Sequence, residues 1–253
     1  MQSLLNLNIV KDYLTNNHKI DEEGNIIHTP INYRWTHGAT DLHLGDGLMI
    51  YSLIQFNRAK TCVCIGTGGG FIPRLMTKAR MDLWEQGIFK GNNLVEWGDI
   101  GTTIIVDAAN GVGGFTDWTD ENSFLRENFH PQIILETSEK TFYDYFVRQD
   151  IKIDYLHIDA GHSYENVKED FELYSQLLSP NGIISIHDTD PNYADKYIVT
   201  NEVKDRGDFD DWKGPIQLAK EIDTTKWQVF DLFNFGILKN KPASTGLTLV
   251  RRK

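Results

Sequence analysis

From residue 60 onward the chain alternates between short unbroken apolar runs and longer amphipathic segments. The apolar runs lie in TCVCIG (61–66), TTIIVDAANG (102–111), PQIILETS (131–138), IDYLHIDAGH (153–162) and GIISIHDTD (182–190). None shows polar alternation, the pattern of parallel strands covered on both faces. The clearest segment between them is 163–179. Tyr164, Val167, Phe171, Tyr174 and Leu178 recur there at spacings of three and four, with Glu165, Glu169 and Glu172 facing away. This predicts an amphipathic helix, capped by Ser163 and stopped by SPNG (179–182). Strand and helix in alternation predict a doubly wound α/β sheet. The end of the chain breaks the rhythm. WQVFDLFNFGIL (227–238) and STGLTLVRR (244–252) are separated only by KNKPA. That linker is too short for a crossover helix, so the two strands are expected to pair antiparallel. Five parallel strands and this hairpin make a seven-stranded, mostly parallel sheet.

Before residue 60 the pattern is weaker. LGDGLMIYSLIQF (44–56) reads as a short helix, NNHKIDEEGN (16–25) as a turn or loop, and Leu4, Leu7, Val10 and Leu14 as one face of a helix. Residues 1–40 are therefore expected to be a helical and loop extension, and 41–253 the main domain. MDLWEQGIFKGNNLVEWGD (81–99) is longer than one helix needs and is read in part as an insertion. The stretch 189–214 is long, polar and poorly periodic, as functional or disordered loops are.

Length and composition narrow the function classes. A chain of 253 residues with 40% hydrophobic content fits one large soluble domain. Its formal net charge of -11 argues against a nucleic-acid face and against docking on anionic lipid. The first residues carry no basic region and only an interrupted apolar stretch, so no signal peptide is expected, and no run is long enough to span a membrane. Cys62 and Cys64 are read as buried thiols. The expected location is the reducing cytoplasm. Six Trp and the amino-terminal extension leave a homo-oligomeric interface open.

The candidate chemistry lies where the apolar runs end. IGTGGGF (65–71) brings Gly66, Thr67, Gly68 and Gly70 into a tight turn before a helix, where backbone can approach a ligand closely; a turn without a ligand is the alternative. It is not a phosphate-binding loop, because no Lys-Ser or Lys-Thr follows. Asp107 ends the second run, a position from which a carboxylate reaches ribose hydroxyls; a solvated strand-end acid is the alternative. Asp159 ends the fourth run, with His162 three residues on, and Asp188 ends the fifth. Two acids at one end of adjacent strands can share a hard cation such as Mg²⁺. His162 is then placed as a general base; two solvated loop acids and a histidine that packs the helix start are the alternatives. His187 precedes Asp188, and by strand alternation it is expected to point the other way in a structural role.

These residues resemble the class I S-adenosylmethionine-dependent methyltransferases. CVCIGTGGG looks like their first cofactor motif, IIVDAANG like the acidic strand end that follows, and the closing hairpin like the end of their sheet. The most specific match is DYLHIDAGHSYENVKEDFELYSQLLSPNGIISIHDT (154–189), which is similar to macrocin-type sugar O-methyltransferases and, more distantly, to catechol-type enzymes. The resemblance implies cofactor contacts from Gly66, Thr67, Gly68, Gly70 and Asp107, with Thr137 and Ser138 near the adenine. It implies a divalent cation on Asp159 and Asp188, a proton-accepting His162, and a small-molecule hydroxyl acceptor, a sugar or polyol. Thr189 stands where catechol-type enzymes carry Asn, so Glu136 is the candidate third metal ligand. The segment THGATDLHLGDG (36–47) is available for cofactor or substrate contacts, with no residue singled out. Two alternatives stay open: a metal-independent transferase on the same cofactor fold, and a cofactor-binding module without catalysis.

Overall fold

A computed structural model describes residues 19–20, 26–27, 37, 44–68, 70–85, 101–108, 126, 130–191, 213–233 and 245–253. Two two-residue strands, β1 (Lys19–Ile20) and β2 (Ile26–Ile27), pair antiparallel, so part of the stretch read as a loop is a small ladder. The Leu4–Leu14 face, and most of 81–99 and 189–214, lie outside the described residues.

The remaining strands are β3 (Thr61–Ile65), β4 (Thr102–Val106), β5 (Gln132–Ile134), β6 (Ile153–Ile158), β7 (Leu178–His187), β8 (Trp227–Leu232) and β9 (Leu247–Arg252). They form one seven-stranded sheet in the order β5-β4-β3-β6-β7-β9-β8. β3 to β7 pair in parallel, and β9 pairs antiparallel with both β7 and β8. The expected doubly wound sheet with its closing hairpin is what the chain adopts.

Side-chain alternation divides the core in two. Cys62, Cys64, Ile105, Tyr155 and Ile183 pack against α1 (Asp46–Asn57) and α2 (Phe71–Glu85). Val63, Ile65, Ile104, Leu156, Ile184 and Ile186 pack on the other face. That face is covered by α3 (Ser138–Thr141, continuing as a π-turn through Val147), α4 (Tyr164–Tyr174) and α5 (Gly214–Glu221). Both cysteines are buried and unpaired. Ser163 caps α4 as expected, accepting from the Asn166 N–H at 3.2 Å.

One boundary is corrected. The helical pattern gives way to a 3₁₀ turn at Ser175–Leu177, and SPNG lies inside β7 rather than ending a helix. The β6–β7 register shifts between Ile153 and Tyr155. The turn-forming residues are taken up by a bulge at the start of a ten-residue strand.

The strand order reverses between β3 and β6. From β3 the sheet grows through β4 to β5, and from β6 through β7 toward the hairpin. Such a switch point opens a crevice at the carboxyl ends of the central strands. Gly66, Asp107, Asp159 and Asp188 each directly follow one of these ends.

Candidate functional site

The glycine turn leaves β3 through Gly66, whose φ of 78° lies in the left-handed region. A Cβ there would stand 2.1 Å from the Asp159 carbonyl oxygen. Only glycine lets the turn touch the end of β6 so closely. The contact is fastened by the Asp159 N–H, which donates to the Ile65 carbonyl at 2.9 Å, and by the Gly66 N–H, which donates to Val106 at 2.9 Å. Thr67 then joins the turn to β4: its N–H and its hydroxyl both donate to Asp107 Oδ2, at 3.0 and 2.5 Å. Gly70 closes the turn on the Thr67 carbonyl at 2.7 Å, and α2 begins at the next residue. Gly66, Thr67, Gly68, Gly70 and Asp107 are thus gathered at the mouth of the crevice.

Thr137 and Ser138 follow β5. The Thr137 hydroxyl caps α3, accepting from the Lys140 N–H. The Ser138 side chain bonds Asp170, and its carbonyl accepts from the Tyr174 hydroxyl at 2.8 Å. Glu136 is corrected as a third metal ligand. It pairs with Lys140 at 2.5 Å just past the end of β5, a strand three positions from β6 in the sheet. At about 4.8 Å per strand it stands well over 10 Å from Asp159.

The acids and histidines form one compact group. His162 Nε2 lies 2.7 Å from Asp188 Oδ2 and 3.9 Å from Asp159 Oδ1. His187 Nδ1 lies 3.3 Å from Asp159 Oδ1 and 3.2 Å from Asp188 Oδ1. His187 therefore does not turn away from Asp188. The parallel register aligns Ile158 with Ile186, so carrying it one residue on sets Asp159 opposite His187. Asp188, the next residue, takes a left-handed φ of 58°. Strand alternation ends there, and its carboxylate turns back beside His187.

Two further side chains arrive from the amino-terminal half. Asp46, in the first turn of α1, lies 3.3 Å from His187 Nε2. His37 sits with its Nδ1 3.1 Å from His187 Nε2 and its Nε2 3.5 Å from Asp159 Oδ2. Its carbonyl accepts the Asp46 N–H at 2.9 Å, holding the two together. His157, two residues before Asp159 on β6, bonds Ser185 Oγ at 2.9 Å through Nδ1. Its Nε2 is buried without a hydrogen-bond partner, as is Thr189 Oγ1.

Burial and charge set the protonation states. Burial pushes His187 down, but the charges of Asp188 and Asp159 overcome it and hold it well above 6.5. Burial likewise opposes the His162 imidazolium, and the hydrogen bond and charge of Asp188 raise it above its ordinary value. Burial would raise both acids, yet the charge of His187 holds Asp159 below, and Asp188 well below, the usual carboxylate range. His37 and His157 go the other way. Burial lowers them to about 4 and about 3, so both are neutral imidazoles able to offer a lone pair.

Four residues of this group escaped the sequence reading: His37, Asp46, His157 and His187. His187 had a signal, because aligning LHID with SIHD one residue out of step places it beside Asp159. His37 and Asp46 are 150 and 141 residues from His187 and carried none beyond lying in the segment 36–47. Among the described residues, two sets of donors meet closely enough to share one ion: Asp159, His187 and Asp188, and His37, His157 and Asp159. No helix among those residues is long and apolar enough to cross a membrane.

Residues 60–189 match the family model of a methyltransferase domain. An O-methyltransferase from Bacillus cereus, solved in complex with SAH, superposes with a TM-score of 0.58 at 14% identity, over 97% of this chain and 89% of that one. TomG from Streptomyces achromogenes, an O-methyltransferase of tomaymycin synthesis solved with SAM, gives 0.53 at 12% identity, over 96% of each chain. At these identities the likeness is one of fold. The uncharacterized protein y4gI of Sinorhizobium fredii (strain NBRC 101917 / NGR234) is 43% identical over 42 residues, which span 17% of this chain and only 5% of that protein.

Proposed function

Because the chain belongs to the methyltransferase-domain family, whose model covers residues 60–189, we propose that it transfers a methyl group from S-adenosylmethionine to a hydroxyl of a small molecule. One observation carries this reading: the glycine turn touches the end of β6 directly, through Gly66 and Asp159. A cofactor on the turn and an acceptor at the Asp159–His162–Asp188 group would then lie side by side. Gly66, Thr67, Gly68 and Gly70 hold the amino-acid portion of the cofactor and Asp107 its ribose, with Thr137 and Ser138 toward the adenine. Much of the rate comes from orienting two bound reactants.

His162 removes the acceptor's proton. Its Nε2–H faces Asp188 at 2.7 Å, so proton uptake falls to Nδ1, and the carboxylate stabilises the imidazolium that forms. The hydroxyl oxygen attacks the methyl carbon in line, the carbon–sulfur bond breaks toward sulfur, and S-adenosylhomocysteine leaves. Asp159 and Asp188 fit a divalent cation as donors, and such an ion lowers the pKa of an acceptor hydroxyl. A polar, acid-lined crevice favours a sugar or another polyol as acceptor, in keeping with the macrocin-type resemblance of 154–189.

Asp159→Asn should abolish cation-dependent turnover while leaving cofactor binding within about threefold, because the substitution keeps the backbone contact to Gly66. Wild-type turnover in this variant would remove Asp159 from the reaction. A metal-independent transferase is the second reading, and the position of His187 favours it: its imidazolium lies between the two carboxylates as a built-in cation. Turnover unchanged by a strong chelator would select it.

A further inference from the structure

We propose that His187 is the third protein ligand of the cation site, and that the site therefore takes a first-row transition-metal dication in preference to Mg²⁺. The inference rests on the proposed cation site at Asp159 and Asp188 and names its missing donor and its metal class.

Three observations carry it. His187 is 6% exposed, and its buried Nδ1 stands 3.3 Å from Asp159 Oδ1 and 3.2 Å from Asp188 Oδ1, between the two proposed ligands. Without an ion that nitrogen pairs with the two acids, and a metal bound between them takes the place of its proton. The spacing fits a shared ion as well. Donors about 2.1 Å from one metal stand about 3.0 Å apart at right angles and about 3.4 Å apart at the tetrahedral angle. Finally, the opposite nitrogen, Nε2, is held among Asp46 at 3.3 Å, Thr245 Oγ1 at 3.1 Å and His37 Nδ1 at 3.1 Å. A carboxylate that receives the far N–H of a ligating imidazole fixes its tautomer and raises its basicity.

The donor set decides the metal class. Two carboxylates alone suit Mg²⁺, which demands oxygen; adding an imidazole nitrogen shifts the preference toward Mn²⁺, Fe²⁺, Co²⁺ or Zn²⁺. His37 and His157 bring two further ring nitrogens to Asp159, and the His157 Nε2 has no hydrogen-bond partner.

The test is calorimetric titration of Mn²⁺ and of Mg²⁺ into chelator-stripped protein, with electron spin-echo spectroscopy of the bound Mn²⁺ and S-adenosylmethionine binding read on the same samples. We expect one Mn²⁺ site at least about tenfold tighter than Mg²⁺, with nitrogen coupling in the spin-echo spectrum. His187→Asn should remove that coupling, and Asp46→Asn should weaken Mn²⁺ by about tenfold. The coupling is measured on the wild-type protein, so the test does not depend on either variant folding. Equal affinity for both ions without nitrogen coupling would overturn the inference, leaving an oxygen-only site. Protein that binds the cofactor but takes up neither Mn²⁺ nor Mg²⁺ when titrated would also overturn it and make His187 the internal cation. If neither cofactor nor ion binds, the underlying reading of the crevice falls, and this inference with it.

Discussion

Gly66→Ala tests the contact on which the crevice is built. The new methyl would enter a φ of 78° and stand 2.1 Å from the Asp159 carbonyl oxygen, more than 1 Å inside the 3.4 Å at which such contact becomes ordinary. The obstacle is backbone, so no side chain can swing away. The left-handed conformation costs about 1–2 kcal/mol for a residue with a Cβ, and forcing extra volume into packed structure adds about 1–3 kcal/mol. We expect a loss of about 3 kcal/mol, read from denaturant midpoints. Relieving the clash must part the turn from β6, so cofactor affinity should fall by at least about tenfold, or about 1.4 kcal/mol. Gly101→Ala is the matched control. It has the same φ of 78° and a backbone clash of 2.2 Å with the Lys60 carbonyl, but it precedes β4, at the amino ends of the parallel strands and away from the crevice. It should destabilise comparably while the folded fraction binds cofactor normally. A Gly66→Ala protein within 1 kcal/mol of wild type, or a Gly101→Ala protein that loses cofactor equally, would refute the reasoning.

Two other predictions concern α4. Burial raises the Asp170 carboxyl from 3.8 to about 6, against a hydrogen bond from Ser138 that lowers it. The folded state thus keeps a proton that the unfolded chain releases. The stability this confers is complete below pH 3.8 and lost as pH rises through about 6, some ~3 kcal/mol in all. Asp170→Asn should therefore gain on wild type between pH 4 and pH 7 in urea unfolding, and parallel pH profiles for the two proteins would rule the buried acid out. Ser163→Ala removes the cap and should cost about 1 kcal/mol by the same method; a change under a few tenths would mean that the cap contributes nothing.

How much could be read from the sequence depended on how local each cause is. The parallel strands were legible because a strand buried on both faces must be apolar throughout, and the closing hairpin because five residues cannot carry a crossover. The Ser163 cap and the strand-end acids were legible for the same reason: each follows from its immediate neighbours. The start of β7 was not, since Pro180, Asn181 and Gly182 signal a turn that a bulge absorbs within the strand. Nor was the position of His187, which depends on the register between two strands and on one left-handed residue, Asp188. His37 and Asp46 reach the site only through tertiary packing of α1 on the sheet. Glu136 was misplaced because strand order, which distances β5 from β6, is not written in any local pattern.

The central claim is that the crevice at the reversal of strand order holds S-adenosylmethionine. Calorimetric titration of that compound and of S-adenosylhomocysteine into the purified protein, first in chelator and then with divalent cation, tests it most directly. The account predicts that both bind at one site in either condition, because the glycine turn, Thr67 and Asp107 are held by hydrogen bonds within the protein. Binding of neither compound in either condition would contradict it.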